Sequence, residues 1–205
     1  MSTDEAATVL NVPNKRKIAV WTLPQGSSPA VRVEVSGGRI IASRLLEIAF
    51  DTLGIQEQSR PFFGLFKDLD PPTKKFGDDE IIYVPYKSVI SLQKWSFDPI
   101  DEAKAIKTDV ASIRLLALQI NADINAGRLL LTTEEKDRMD ELMDPEFPCY
   151  KQYVEFARGI ELYGSVVIKD VKLVSNIRLK TQTIKKGQRI DIACNNKKMI
   201  IITGR

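Results

Sequence analysis

The apolar positions of the chain fall into three successive patterns, and each pattern predicts a different kind of structure. Residues 15–96 hold short runs of alternating apolar and polar positions, interrupted by one stretch with helical spacing. Residues 97–163 place apolar residues at steps of three and four, as amphipathic helices require, and residues 164–205 return to strand-like alternation. We therefore expect three lobes, preceded by a polar, disordered lead-in at residues 1–14.

The clearest pattern lies between Asp109 and Arg128, where one helical stripe is apolar. Either Thr108 or Asp109 can act as the N-cap, because its side-chain oxygen can accept a backbone N–H of the first turn. Gly127 can adopt the left-handed turn that ends the helix. Because two further leucines widen the stripe, we expect neighbouring helices to surround this one. The stripe consists of Val110, Ile113, Leu116, Ala117, Ile120 and Ile124.

Two further helices are predicted downstream. A capping box at Thr132–Glu135 opens the second one, and apolar spacing places the third between Cys149 and Leu162. Together with the helix before them, they predict a small helical bundle at residues 97–163.

The first lobe reads as two strands, a helix and three more strands. The strands Lys17–Thr22 and Ala30–Val35 flank a turn-rich connector, which predicts a hairpin. The helix is expected at Ser43–Leu53. A hairpin followed by a helix that crosses the sheet is the order of a ubiquitin-like β-grasp roll, an α+β fold with one sheet face covered. The remaining strands are predicted at Pro61–Lys67, Glu80–Val84 and Lys87–Trp95.

The last lobe, residues 164–205, predicts an antiparallel β structure. Polar breaks at Lys185–Gln188 and Asn195–Lys198 separate its strands. The last strand is apolar on both faces, so we expect another chain or segment to cover it. The predicted strands are Val166–Ile168, Val171–Val174, Ile177–Ile184, Arg189–Cys194 and Met199–Thr203.

Charge is distributed unevenly along the chain, which carries only +3 overall. The last 42 residues contain ten Lys or Arg against two Asp or Glu, a net charge of +8, whereas the first 163 residues carry −5. A basic segment of this kind favours an anionic partner such as an acidic lipid surface. Nucleic acid is not expected, because no aromatic residue for base stacking follows Tyr163.

Composition argues against an enzyme. The chain has no histidine, which excludes Ser-His-Asp and Cys-His arrangements and histidine-based metal sites. The turn at Ser36–Arg39 lacks the lysine of a phosphate-binding loop. The two cysteines are expected to be buried, reduced thiols, and no apolar run is long enough to span a membrane. Catalysis by carboxylates or lysine alone is still open in principle, but the sequence shows no nucleophile–base pair or metal cluster. We expect no catalytic residue, metal or cofactor.

The three-lobe order and several local motifs resemble a FERM domain. In the central helix, Gln119, the pair Asp123-Ile124 and the pair Gly127-Arg128 match a pattern of the middle FERM lobe, whose bundle is similar to acyl-CoA-binding proteins. The chain looks closest to the FERM module of PX–FERM sorting nexins, which are endosomal cargo adaptors. The sequence motifs that support this resemblance are Phe63–Phe66, Leu92–Phe97 and Tyr163-Gly164.

The resemblance implies a non-enzymatic adaptor in endosomal sorting and recycling of transmembrane cargo. Such a module is cytoplasmic and peripheral on early endosomes, and it binds cargo tails and a phosphoinositide-containing anionic membrane. The third lobe is similar to part of a PTB or PH domain. It lacks the late strand and helix that form the cargo groove in the family, so no cargo site transfers to a residue here. The sequence does not show which cargo or lipid is bound.

Basic residues of the third lobe are the candidates for lipid contact. An alternative function is a small-GTPase or cytoskeletal effector that uses a strand edge of the first lobe. At the lobe junction, Trp95 and Phe97 are expected to be buried as an aromatic wedge. The lipid candidates are Arg178, Lys180, Lys185, Lys186, Arg189, Lys197 and Lys198, and the GTPase candidates are Lys15, Arg16, Lys17 and Arg32.

Overall fold

The computed structural model describes residues 15–23, 30–95, 98–179, 183–194 and 199–202. The lead-in predicted at residues 1–14 lies outside them. The chain folds into two compact units. The first unit holds the described residues up to Leu53 together with Leu65–Leu92, and the second holds Gly54–Gly64 together with the described residues from Gln93 onward. The predicted boundaries of three lobes stay a prediction.

The structure mixes strands and helices, as the α+β prediction requires. Five α-helices are described: α1 (Ala42–Leu53), α2 (Pro99–Ala105), α3 (Val110–Asn125), α4 (Thr133–Leu142) and α5 (Tyr150–Gly159). Short 3-10 turns occur at Ser36–Gly38 and Glu57–Phe62. The strands are β1 (Arg16–Trp21), β2 (Val31–Val35), β3 (Arg39–Ile41), β4 (Phe63–Lys67), β5 (Lys74–Lys75), β6 (Ile81–Tyr83), β7 (Ile90–Lys94), β8 (Val166–Lys172), β9 (Ile177–Arg178), β10 (Thr183–Ile184), β11 (Arg189–Cys194) and β12 (Met199–Ile202).

A five-stranded mixed sheet with the order β2-β1-β7-β4-β5 contains the predicted hairpin. Strands β1 and β2 pair antiparallel, and β1 pairs with β7 in parallel. The valines of β2 are buried while Arg32 and Glu34 are exposed, so the predicted alternation is confirmed. Helix α1 contacts β2 and β3 and buries Leu45, Ala49 and Phe50. Strand β3 was not predicted, because three residues carry too little pattern to be recognised, whereas its partner β6 lies within the strand predicted at Glu80–Val84.

The helical part of the second unit has its own apolar core. Residues from α3, α4 and α5 contribute, and Leu116, Ala117 and Tyr153 are almost completely buried. Asp109 caps α3, and Thr132 and Glu135 form the predicted capping box of α4. Val110 was predicted on the apolar stripe but is 77% exposed. It is the first residue of α3, and the first buried residue of the stripe is Ile113.

The final part of the second unit contains a three-stranded antiparallel sheet, β12-β11-β8, and the two-stranded pair β9 and β10. The prediction of one strand over Ile177–Ile184 was wrong, because β9 and β10 pair with each other as the two arms of a hairpin. A small core of Leu173, Ile184 and Ile190 lies beneath these strands. The cysteines are free but not buried: Cys149 is exposed and Cys194 is half-buried.

Candidate interaction sites

Four side chains of the second unit form a buried charge network around one carboxylate. Glu102 on α2 is 1% exposed. Its Oε1 accepts hydrogen bonds from Arg158 Nε at 2.9 Å and from the Tyr163 hydroxyl at 2.8 Å. Lys94 Nζ lies 2.6 Å from Oε2 of the same carboxylate, and 4.2 Å from the centroid of the Tyr163 ring. The network therefore joins Lys94 at the end of β7 to α2, α5 and the turn after α5.

The network contains two cations and one carboxylate. Burial lowers the pKa of Lys94, and the charge of Glu102 opposes that shift. Burial likewise raises the pKa of Tyr163 well above its usual value, and Glu102 adds to this effect. The Lys94–Glu102 contact is an ion pair rather than a directional hydrogen bond, and Arg158 Nη2 is buried with no acceptor at hydrogen-bonding geometry. Asp123 is a second carboxylate whose charge acts on Lys94, so Glu102 is the shared partner of both cations but not the sole negative charge near them.

Helix α2 was not predicted from the sequence, and the network that depends on it was therefore not predicted either. The helix begins at Asp98, whose Oδ1 accepts the backbone N–H of Ile100 at 2.8 Å and of Asp101 at 3.2 Å. An Asp-Pro pair followed by acidic residues is a helix start signal that could have located α2. The burial of Glu102 could not have been found in this way, because hydropathy assigns every glutamate to the surface.

The residues that carry the FERM resemblance position the central helix α3. Gln119 Oε1 accepts the backbone N–H of Lys94 at 2.7 Å. Asp123 Oδ1 accepts a hydrogen bond from Arg128 Nε at 2.8 Å, across the turn in which Gly127 has a φ of 65°. Gln119 fixes the C-terminal half of α3 to Lys94, and Asp123 stabilises the turn that follows the helix, so the motif has a structural role in this chain.

Asp109 does more than cap α3. It is 1% exposed, and its Oδ2 accepts the backbone N–H of Gln56 at 2.9 Å and the hydroxyl of Ser112 at 2.7 Å. Its Oδ1 accepts the backbone N–H of Ser112 at 3.1 Å. Burial alone would raise the pKa of Asp109, but the hydrogen bonds to the charged form outweigh it and lower the pKa below its usual value.

Three of the predicted lipid-contact residues lie on or next to the paired strands β9 and β10: Arg178 is in β9, and Lys185 and Lys186 follow β10 in the turn that leads to β11. We call these three residues the basic hairpin. All three side chains are exposed. Two hydrogen bonds from backbone amides to side chains stabilise the turn. The N–H of Lys185 donates to Gln188 Oε1 at 2.9 Å, and the N–H of Lys186 donates to Asn176 Oδ1 at 2.7 Å. Within the described residues no carboxylate pairs with these three cations, so their charges remain available to a partner.

The other predicted lipid-contact residues differ from the basic hairpin. Arg189 is exposed but forms an ion pair with Asp170, which offsets its charge. Lys180, Lys197 and Lys198 lie outside the described residues.

The four cations predicted to contact a GTPase do not form one patch. Lys15 Nζ lies 3.3 Å from Glu34, and Lys17 lies opposite the same glutamate in the strand register. Arg32 lies on the same exposed sheet face, two register positions further along. Arg16 points to the opposite face and donates to a backbone carbonyl at 2.5 Å. Strand β2, which carries Arg32, is an edge of the five-stranded sheet, so a strand edge is present as predicted.

The aromatic wedge is not found in the predicted form. The side chain of Trp95 is 44% exposed, although burial was expected. Its backbone N–H donates to the carbonyl of Phe62 at 2.7 Å, so the main chain is fixed while much of the ring is solvated. Phe97 lies outside the described residues.

In the described parts of the chain, no group of three or more His, Cys, Asp or Glu is placed to hold a metal ion. Among the same residues, no helix combines the length and the apolar character needed to cross a bilayer.

Comparison with known proteins gives a structural match without a sequence match. No protein-family model matches the chain, and no curated protein is similar to it in sequence. Among solved structures, the chain is similar to the MyTH4-FERM MF2 domain of myosin VII from Dictyostelium discoideum, with a TM-score of 0.50 and 12% identity. The match covers 92% of this chain and 48% of that one, so the chain spans about half the length of its structural neighbour. At this identity the likeness concerns the fold alone, and the chain has a FERM-like fold.

Proposed function

We propose that this chain is a non-enzymatic interaction module that brings an anionic membrane surface and the cytoplasmic tails of transmembrane cargo together, with endosomes as its site of action. The FERM-like fold supports an adaptor role by analogy, since fold alone does not determine function. The absence of histidine from the sequence argues against the commonest general acid–base chemistry. The PX–FERM sorting nexins remain the proposed relatives because of the motifs in their shared order.

The observation that carries this proposal is the basic hairpin. Its three cations are exposed and have no ion-pair partner in the described residues. Hydrogen bonds from the backbone amides of the adjacent Lys185 and Lys186 hold the turn in which both lie. Each Lys or Arg near an anionic leaflet contributes roughly 1 kcal/mol of attraction. Three such residues give about 3 kcal/mol, or roughly a hundredfold increase in membrane partitioning, at low salt.

Vesicle sedimentation tests the membrane half of the proposal. We expect the chain to co-sediment with vesicles that contain phosphatidylserine or phosphoinositide, but not with neutral phosphatidylcholine vesicles, and raised salt should release it. The double variant Lys185→Gln/Lys186→Gln should lose about tenfold or more of this binding. Equal binding to neutral and anionic vesicles would refute the proposal.

A matched control removes the same charge elsewhere. Lys104 and Arg138 are exposed helical cations that pair with Asp101 and Glu141. The double variant Lys104→Gln/Arg138→Gln has the same net charge as the hairpin variant, so it should retain most of the vesicle binding. Equal losses in both variants would mean that net charge rather than the basic hairpin determines binding.

The cargo half of the proposal rests on the FERM resemblance. An array of cytoplasmic-tail peptides from transmembrane proteins, probed with this chain and with a version extended at its C-terminus, tests it. Binding of a defined subset of tails supports the adaptor function. If neither version retains any peptide, the cargo role is refuted while the membrane result stands.

A second candidate function, small-GTPase or cytoskeletal effector, is favoured by the free edge of β2. A strand edge can pair with a strand of a partner, and Arg32 on the exposed face could meet an acidic surface. Arg32→Glu should then abolish a GTP-dependent pull-down. The control variant Lys87→Glu changes an exposed lysine of the same unit outside β1 and β2 and should leave it intact. An unchanged pull-down with Arg32→Glu would rule this surface out.

A further inference from the structure

A cavity of about 280 Å³ lies between the end of α2, α3 and α5 in the second unit. Its walls combine aliphatic and basic side chains, and we call it the basic cavity. Its volume lies just below the range of roughly 300–1,000 Å³ typical of small-molecule pockets, which suits a compact ligand. The lining residues are Ala103, Ile106, Lys107, Ile113, Lys151, Glu155 and Arg158.

The charges in this cavity are unbalanced. Neither Lys107 nor Lys151 has an ion pair or side-chain hydrogen bond within the described residues. The lining residues include three cations, Lys107, Lys151 and Arg158, and one carboxylate, Glu155, so their formal charges sum to +2. Of the three cations, Arg158 has an ion-pair partner, Glu102, which does not line the cavity. Like charges gathered without counter-charges cost free energy unless a ligand offsets them.

The start of α5 shows the same conflict. Lys151 lies in the first turn of this helix, where the macrodipole disfavours a cation. The first turn contains no acidic residue, and the N-cap residue Cys149 makes no side-chain capping bond. By contrast, α4 begins with a complete capping box and two glutamates in its first turn. A bound anion at this end of the cavity would relieve the dipole conflict.

The position of Arg158 in the cavity wall is fixed. Its Nε donates to buried Glu102 at 2.9 Å, so the guanidinium cannot turn away from the wall without breaking that bond. Lys107 and Lys151 are exposed. One guanidinium held in place and two exposed ammonium groups can donate hydrogen bonds to the oxygens of a phosphate.

We propose that the basic cavity binds a phosphomonoester carried on a small organic group. A phosphomonoester has a charge of about −1.5 to −2 at pH 7, which matches the +2 of the cavity. The aliphatic wall formed by Ala103 and Ile113 accepts the carbon part of the ligand. This site is separate from the basic hairpin, and it gives the helical part of the protein a ligand of its own. The same headgroup chemistry occurs in free metabolites and in phosphatidate lipids.

Calorimetric titration of the full chain with glycerol 3-phosphate tests the soluble source, with glycerol as the neutral control. We expect saturable binding of glycerol 3-phosphate alone, with amide chemical shifts in the NMR spectrum that change near Lys107 and Lys151. Each lysine replaced by glutamine should weaken binding about tenfold, as expected for a hydrogen bond to a charged group. The double variant Lys107→Gln/Lys151→Gln should therefore show no measurable heat.

Two control variants separate this proposal from the proposed function. Lys104→Gln removes a cation of α2 that does not line the cavity, and it should retain binding. Lys185→Gln/Lys186→Gln weakens membrane attachment through the basic hairpin but should also retain glycerol 3-phosphate binding. Arg158 is left unchanged, because replacing it would disturb the buried network around Glu102.

The lipid source is tested with vesicles that contain phosphatidate. If glycerol 3-phosphate displaces the Lys185→Gln/Lys186→Gln variant from these vesicles, the basic cavity binds the lipid headgroup. If the chain binds glycerol 3-phosphate but not the phosphatidate vesicles, the natural ligand of the cavity is a soluble metabolite. The proposal is overturned if neither form binds. It is equally overturned if Lys107→Gln/Lys151→Gln binds as well as the parent chain.

Discussion

The buried network around Glu102 and the basic hairpin contain the same kinds of cation in opposite surroundings. Lys94 and Arg158 are 12% and 15% exposed, and both are committed to one carboxylate. Arg178, Lys185 and Lys186 are exposed and uncommitted within the described residues. A charge that is buried and paired contributes to the arrangement of helices, whereas an exposed, unpaired charge is available to a partner. Substitutions in the two regions should therefore affect different measurements.

The largest effect is expected from Glu102→Gln. The amide keeps the shape but leaves Lys94 and Arg158 as buried cations without their shared counter-charge. Breaking a buried ion pair by removing one partner costs about 3–5 kcal/mol. Urea denaturation should show this loss in the free energy of unfolding.

Two comparison variants sharpen that result. Glu155→Gln removes an exposed carboxylate of α5 and should change the free energy of unfolding by less than about 0.5 kcal/mol. Lys94→Met removes one cation and leaves Glu102 paired with Arg158, so it should cost much less than Glu102→Gln. If Glu102→Gln destabilises the protein no more than Glu155→Gln, the network contributes nothing to stability.

A smaller, pH-dependent effect is expected at Asp109. Asp109→Asn keeps one acceptor but leaves a buried donor such as the Gln56 N–H without a partner, at a cost of about 1–3 kcal/mol. The pKa of Asp109 is lowered in the folded state, so its stabilising contribution is present above the unfolded-state pKa of about 3.9 and is lost as the pH falls through the folded-state value.

Denaturation at pH 6 and near pH 2 checks this sign. The difference in unfolding free energy between the parent chain and Asp109→Asn should shrink at the lower pH. A difference that stays constant or grows on acidification would contradict the lowered pKa.

The smallest effect on stability is expected from Lys185→Gln/Lys186→Gln. The described hydrogen bonds of these residues are donated by backbone amides, which glutamine retains. The free energy of unfolding should therefore change by less than about 0.5 kcal/mol, while vesicle binding falls. A loss above about 1 kcal/mol would show that the lysines are part of the fold, and the contrast between the two regions would disappear.

Local signals in the sequence predicted the elements whose formation depends on nearby residues. The capping box at Thr132 and Glu135, the Asp109 cap and the alternation of β2 were all visible, because each depends on residues only a few positions apart. The α+β class followed from the same local patterns.

The remaining features depend on contacts between distant residues. The pairing of Glu102 with Arg158 and Tyr163 joins positions 56 and 61 residues apart, and no local pattern specifies it. Trp95 was predicted to be buried but is exposed, because the burial of an aromatic residue at a junction depends on tertiary packing. The basic cavity also remained hidden, since its lysines come from the end of α2 and from α5.

The interleaved composition of the two compact units has a consequence for dissecting the protein. Gly54–Gly64 belongs to the unit that holds the helices, although it lies between two segments of the other unit. Expressing residues 97–163 alone would remove Gln56, which donates to Asp109, and Lys94, whose side chain pairs with Glu102. In the excised fragment, Asp109 would lose one of its hydrogen-bond donors, and Glu102 would lose one of its two cationic partners. Neither unit can be isolated by a single cut, so domain swaps with other proteins have to exchange two stretches of chain at once.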